Sequence, residues 1–316
     1  MARSAVLIHG KKQSAGRRRA LGFYLLLMLV PVLHFCFFYV YVNFNSILMA
    51  FRHYAVDPDL GLYSTFAGWD NFSDAWKFLT SHSYYVKNSL YFFLMDVFVA
   101  TPLALFIAYY IYKKKFLGGF FKVVFFLPQV LSAVILGVLY RYLTGNVYQY
   151  LFEKIHHFST EALLFGDGKM WALMLFNLIM SFGVNVLLYT NAMGGVSPSL
   201  IESAELDGAN AWRQFWSIIM PKVYPTWVSL MIIEISYLCA NQFQVYNLYE
   251  AGGGDLGNIG YFLYLDAKDA NLYEVNSATA LNYPTLAALG IILTCFVLPI
   301  ALGARYLLNR VGPSED

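Results

Sequence analysis

Acidic residues inside apolar stretches are the first candidates for chemistry in this sequence. Glu234 lies near the middle of one long apolar run and Asp96 in another, where an ionised carboxylate is expensive unless paired or hydrated. Two such acids could carry protons across a membrane, so a proton-coupled secondary transporter using Glu234 and Asp96 is one reading. Asp96 by itself reads better as a structural group, or as an acid kept protonated by desolvation. If the run around Glu234 is helical, Glu234, Tyr237, Asn241 and Gln244 fall within about an 80° arc. Gln242, Tyr246 and Asn247 extend the polar character beyond it, and Asn177, Ser181 and Asn185 form a second polar face. Amides and hydroxyls beside aromatic rings suit a sugar, because they exchange hydrogen bonds with its hydroxyls while ring faces pack on its C–H surfaces. Any single Asn or Gln is better read as a bond between helices. The stripe as a group reads as the lining of a solute path.

Other chemistries lack their residues. There is no HExxH, no GxSxG and no paired cysteine motif. Cys36, Cys239 and Cys295 all fall in apolar runs, and their odd number gives neither a disulfide framework nor a metal spacing. His156 and His157 stand beside Glu153 and Glu161, but adjacent histidines cannot share a helical face, so a solvated loop is the better reading. Gly252-Gly253-Gly254-Asp255 permits turns with positive φ without the strand, helix and lysine of a phosphate loop. No GxxxxGK[ST] occurs, so any ATP chemistry belongs to a partner. No nucleic-acid partner is expected.

These residues must be held by membrane-spanning elements. Of 316 residues, 59% are hydrophobic and only 13% charged, and the apolar ones are clustered. A span needs about 20 largely apolar residues, and six runs qualify: Leu21–Phe44, Asn88–Tyr112, Val123–Leu143, Met170–Asn191, Val223–Leu248 and Asn282–Leu307. The expected fold is an all-α membrane protein of six transmembrane helices. Placing the amino terminus inside puts fourteen basic residues in the cytoplasm, among them Arg17–Arg19, Lys113–Lys115, Lys122, Arg213 and Lys222. Seven remain outside: Arg52, Lys77, Lys87, Arg141, Lys154, Lys169 and Lys268. That excess inside makes both termini cytoplasmic. Residues 1–20 read as a basic tail at the anionic inner surface, residues 21–310 as the transmembrane domain, and residues 311–316 as a second cytoplasmic tail. The first apolar run is too long for a signal core and lacks a clean cleavage site, so it reads as an uncleaved anchor. The first outer loop, 52–87, has the Trp, Tyr and Phe content of an interfacial belt with short surface helices.

The inner loop at 192–222 is more elaborate than a connector needs. Ser197-Pro198 is a helix start, and Gly208 suits a left-handed helix end. A second helix then places Trp212, Phe215, Trp216 and Ile219 on one face and Arg213, Gln214 and Ser217 opposite. Pro221 and Pro225 mark the entry to the fifth span. Helices this short are marginal alone and need a docking surface.

The stretch Glu202-Ser203-Ala204, Asp207-Gly208-Ala209, Phe215, Ile218, Pro221 and Pro225 resembles the coupling loop of ATP-binding-cassette (ABC) importer permeases. It is closest to the carbohydrate-uptake branch, of the maltose and glycerol-phosphate type. The family pattern has Glu-Ala-Ala, Asp-Gly-Ala, a Phe, an Ile and two prolines four apart; Ser203 for the first Ala is the one departure. Weaker landmarks extend over residues 21–310: Tyr24–Pro31, Asn45-Ser46-Ile47, Gly68–Phe72 and Phe126-Leu127-Pro128. Gly252-Gly253 is another, with Gly254 where a proline usually follows.

The resemblance implies a type I importer permease in a bacterial plasma membrane, translocating a carbohydrate and hydrolysing nothing itself. Its partners would be a second permease, forming a heterodimer, a cytoplasmic ATPase dimer and an extracytoplasmic solute-binding protein. ATP and magnesium would sit on the ATPase, and this chain would bind no cofactor. The coupling set would be Glu202, Ser203, Ala204, Asp207, Gly208, Ala209, Phe215, Ile218 and Pro221, with small Ala204 admitting the ATPase closely and Glu202 and Asp207 giving charged contacts. A solvated helix face is the alternative for those acids. The substrate path would use Glu234, Tyr237, Asn241, Gln244, Asn177 and Asn185.

Overall fold

A chain that crosses lipid must satisfy its peptide groups internally, and a helix does this within one segment. The apolar runs accordingly fold as helices in the computed structural model, which describes residues 21–57, 61–114, 116–156, 163–269 and 282–313. In chain order these elements begin with α1 (Leu21–Ala50), the strands β1 (Arg52–Asp57) and β2 (Gly61–Phe66), α2 (Asp70–Ser81) and α3 (Ser83–Tyr112). Next come α4 (Gly118–Val130), α5 (Ala133–Ile155), α6 (Lys169–Gly194) and α7 (Pro198–Leu206). The remainder are α8 (Ala211–Tyr237), α9 (Val245–Tyr249), α10 (Ile259–Asp269) and α11 (Tyr283–Val311). Helices α1, α3, α6, α8 and α11 are each long and apolar enough to cross a membrane, and α4 with α5 gives a sixth candidate bent by 104°. The basic tail 1–20, Lys115, His157, Glu161, residues 270–281 and the last three residues lie outside the described residues.

The chain divides into two compact units, one from the described residues of 1–74 and 271–288, the other from those of 75–270 and 289–316. In the first, β1 and β2 pair antiparallel from Arg52↔Phe66 to Asp57↔Gly61. The aromatic and β-branched residues of these two segments flank the turn formers Asp57-Pro58, so a hairpin forms where the composition suggests surface helices. Asn71 ties the start of α2 to the end of α1: its Nδ2 donates to the carbonyls of Ala50 and Arg52, each at 2.9 Å. Phe51, Trp69 and Phe72 close over that joint, with ring centroids 4.9 to 5.5 Å apart.

In the second unit, α3 and α4 both pack along α6. Gly183 permits this, because a Cβ there would collide with the Phe125 carbonyl of α4. Gln129 of α4 also donates to the Met180 carbonyl of α6. Two buried clusters form. One gathers Phe92, Tyr140, Phe176 and Phe243, the other Ile111, Phe182, Tyr189, Phe215 and Ile219. Within a bilayer such contacts gain from close packing, since lipid tails are as apolar as the side chains.

Two spans depart from the continuous helices that hydropathy suggests. The third breaks at Leu131 and Ser132, whose ψ values of 152° and 130° are extended. Pro128 already removes one backbone donor just before that break. The fifth does not run from Val223 to Leu248. It starts earlier, because the loop's second helix is continuous with it, and it stops at Tyr237.

Candidate coupling surface and solute path

Helix α7 ends in a well-formed cap. Gly208 has φ +75°, its N–H donates to Glu205 O at 3.1 Å, and Ala209 N–H donates to Ala204 O at 2.8 Å. Those two bonds and the left-handed glycine make a Schellman motif, which satisfies carbonyls a helix end leaves open. At the other end of α7, Ser197 Oγ lies 2.7 Å from Ser199 Oγ and caps no backbone N–H, so only Pro198 acts as the start signal. Asn210, which the sequence reading passes over, caps α8 instead: its Oδ1 accepts from Arg213 N at 2.9 Å. Asn before a helical run is a legible signal for that role.

The elbow has two sides. Glu202, Ser203, Leu206, Asp207 and Gly208 face outward, with Leu206 89% exposed. Ala204 is buried against its own chain, where its small size serves packing inside this subunit. Phe215 is also internal, and Ala209, Ile218 and Pro221 are half-buried. The expected apolar face of α8 straddles a boundary: Phe215 and Ile219 are buried, while Trp212 and Trp216 are exposed. Phe215 packs on Tyr109 and Phe106 of α3, at 5.1 and 5.3 Å between centroids. Beneath the elbow, Lys113 Nζ donates to Glu205 Oε1 at 2.9 Å and to Gln214 Oε1 at 2.6 Å. Gln214 Nε2 in turn donates to Ala209 O, and Tyr109 Oη to Ala211 O.

The polar stripe of the fifth span is split by the break in α8. Glu234 and Tyr237 stay on the helix, while Phe243 and Gln244 take left-handed φ values of 45° and 64°. The freed backbone is satisfied by side chains. Asn241 Oδ1 accepts from Phe243 N at 2.9 Å, and Asn258 Nδ2 donates to Asn241 O at 2.6 Å. Asn88 Nδ2 holds the carbonyls of Asp255 and Gly257 at 2.8 and 2.7 Å. Irregular backbone at membrane depth is tolerated where protein or a wet cavity surrounds it.

Beside the break lies a cleft of about 430 Å³ lined by Tyr237, Ala240, Asn241, Gln242, Gly260 and Tyr264. Tyr237 and Asn241 thus line one cleft. Gln244 does not line this cleft; it accepts from Asn247 instead. Glu234 lies outside the lining too. Gln242 Oε1 is a buried acceptor with no hydrogen-bond partner among the described residues. Tyr264 comes from α10, a segment whose period gives no hint of the cleft. A second cleft of about 350 Å³ continues from Ala240 between α8 and α11, past Ser236, Gly290 and Thr294.

The α6 amides serve other ends. Asn177 Nδ2 lies 3.4 and 3.5 Å from the Asp96 carboxylate oxygens, and both residues are buried. This is the structural role expected of Asp96, and it draws Asn177 away from the cleft. Asn185 is half-buried outside the cleft lining. Among the described residues no group of three or more His, Cys, Asp or Glu side chains could hold a metal.

Broken spans around a polar cleft, with a capped two-helix elbow at one end, define the membrane subunit of a transporter. The chain belongs to the family of binding-protein-dependent transport system inner membrane components, which it matches over residues 100–313. It is 32% identical over 157 residues to the "Probable ABC transporter permease protein MG188" of Mycoplasma genitalium, a match spanning 48% of this chain and 47% of that protein. It is 24% identical over 259 residues to the "sn-glycerol-3-phosphate transport system permease protein UgpA" of Agrobacterium fabrum, over 79% of this chain and 84% of that one. In fold it resembles a crystal structure of a bacterial alginate ABC transporter in complex with an alginate pentasaccharide-bound periplasmic protein. The TM-score is 0.73 at 20% identity, covering 93% of this chain and 97% of the other. The protein is thus a multi-pass inner-membrane permease of the ABC importer class, a non-catalytic subunit whose ATPase is a separate chain. Family membership leaves the proton-carrier reading without support.

Proposed function

We propose that this permease passes a carbohydrate, delivered by an extracytoplasmic binding protein, along the cleft beside Tyr237 and Gln242. Both termini and the α7 elbow lie in the cytoplasm, where an ATPase dimer holding ATP and magnesium docks on Glu202, Ser203, Leu206 and Asp207. The second half of the path comes from another permease, because the cleft is open and Tyr237 is 46% exposed. A relative named for glycerol phosphate transport supports a polyhydroxylated solute. So does the lining, with two phenols and two amides, one of which offers an oxygen that a sugar hydroxyl would satisfy.

The observation that carries the reading is the outward acidic and leucine face of α7, a helix that turns only Ile201 and Ala204 inward. ATP-driven closure of the ATPases would move that face and reorient the helices around the cleft. In vesicles holding the complete transporter, solute uptake should require internal ATP and survive collapse of the proton gradient. Uptake that stops with the gradient while ATP is present overturns the reading. Glu202→Lys tests the docking face itself: a reversed charge in a subunit contact costs about 2–5 kcal/mol. The ATPase should no longer co-purify, and normal co-purification with normal uptake removes the face from the docking surface.

A further inference from the structure

Helix α3 is not covalently joined to the elbow, yet its last turn touches both sides of the Gly208 cap. α8 continues directly from the second half of the elbow, and α6 feeds the first half through residues 195–197, so both move with the elbow through the chain. Movement reaches α3 only through contacts between residues far apart in sequence. Lys113 supplies the charged ones: its ammonium joins Glu205, before the glycine, to Gln214, after it, at 2.9 and 2.6 Å.

We propose that Lys113 is the positioning residue that carries displacement of α7 into α3 during transport. The proposal rests on the docking reading given above.

The geometry suits a transmitting role better than a surface ion pair. The Lys113 side chain is only 17% exposed although Glu205 is 56% exposed, so one partner reaches toward the docking side and the other is anchored within. Gln214 is 3% exposed, and its amide is oriented by the bond from Nε2 to Ala209 O, which leaves Oε1 facing Lys113. Tyr109, one turn earlier on α3, adds a bond to Ala211 O at 3.0 Å. Apolar contacts between α3 and α8 hold the elements together but slide easily. A charge-assisted hydrogen bond has a preferred direction and transmits a pull. Helix α3 also holds Asp96, against Asn177 of α6, so its displacement reaches the buried middle of the bundle.

The test uses the complete transporter in vesicles, with its ATPase and loaded binding protein, and reads solute imported per ATP hydrolysed. Lys113→Met keeps the aliphatic stem and removes the charge. The ratio should fall by about fivefold or more, the low end of coupling between sites, with the assembled complex recovered in normal yield. Exchange of the charges, Lys113→Glu with Glu205→Lys, should restore part of it, because the ion pair between α3 and α7 re-forms while the bond to Gln214 does not. An unchanged ratio in Lys113→Met overturns the proposal. So does a loss of assembly with an unchanged ratio in the complexes that remain, which marks a merely structural staple. Glu202→Lys separates the two readings: if it abolishes transport while Lys113→Met does not, docking stands and transmission through Lys113 falls. If Glu202→Lys is silent, the docking reading has failed.

Discussion

Gly208 was legible from its type and its place after a polar helix, because few residues accept the left-handed conformation a helix cap demands. A Cβ at Gly208 would meet no atom of this chain within 4 Å, so within the subunit the cost of substitution comes from the backbone. Gly208→Val should therefore uncouple transport, and Gly208→Asn should be milder because Asn tolerates φ near +75°. Equal transport by the two variants would rule out strain as the cause. The sequence shows that Ala204 is small, but not which side of α7 the chain itself covers. In the sequence Gln242 stands out only as part of a general polarity, since the burial of its oxygen without a partner among the described residues is a property of the folded segment. Cysteine at Tyr237 or Gln242, with Cys36, Cys239 and Cys295 replaced, should react with an aqueous thiol reagent differently in nucleotide-free and ATP-trapped complexes. Leu230, packed in the interior cluster, should stay unlabelled in both. Protection at all positions in both states would return the polar stripe to helix packing.

At the scale of elements, the six apolar runs were readable, and the breaks within them were not. Pro128 hinted at the first. The second follows Leu238-Cys239-Ala240-Asn241 with neither glycine nor proline to announce it. Phe243 takes a strained φ of 45°, and the compensation is tertiary: its ring is 2% exposed and stacks on Phe92 at 5.0 Å. No local pattern encodes such a partner. Asn258 is the keystone of the broken segment, since it is fully buried and bonds both Asn241 O and Tyr261 N. Asn258→Ala leaves those groups unsatisfied, at a cost of about 1–3 kcal/mol. Thermal unfolding of the purified permease should shift down, and solute uptake should fall more steeply than assembly with the ATPase. A variant with wild-type uptake would show that the segment holds its shape without that amide.

For the molecule as a whole, the class was legible because the elbow motif is long and because basic residues are unevenly distributed. The orientation those charges imply can be checked directly. In sealed vesicles with their outer face exposed, cysteine at Gly252 should label with an impermeant reagent, and cysteine at Ser199 should label only after the membrane is opened. The reverse pattern would invert the topology. The two-part organisation was not foreseen, since the hairpin that distinguishes the first unit arises where composition favours helices.

Helix α8 begins at the Asn210 cap and ends at Tyr237 as one element of 27 residues. At about 1.5 Å per residue it is a rod roughly 40 Å long. A tilt of about 10° at its foot displaces its tip by roughly 7 Å, more than the pitch of one helical turn. Leverage of that size means the ATPase need not grip the permease near the solute or move far itself. Small strokes at the membrane surface become large ones at its centre, and the stiffness of a single helix sets how faithfully they arrive.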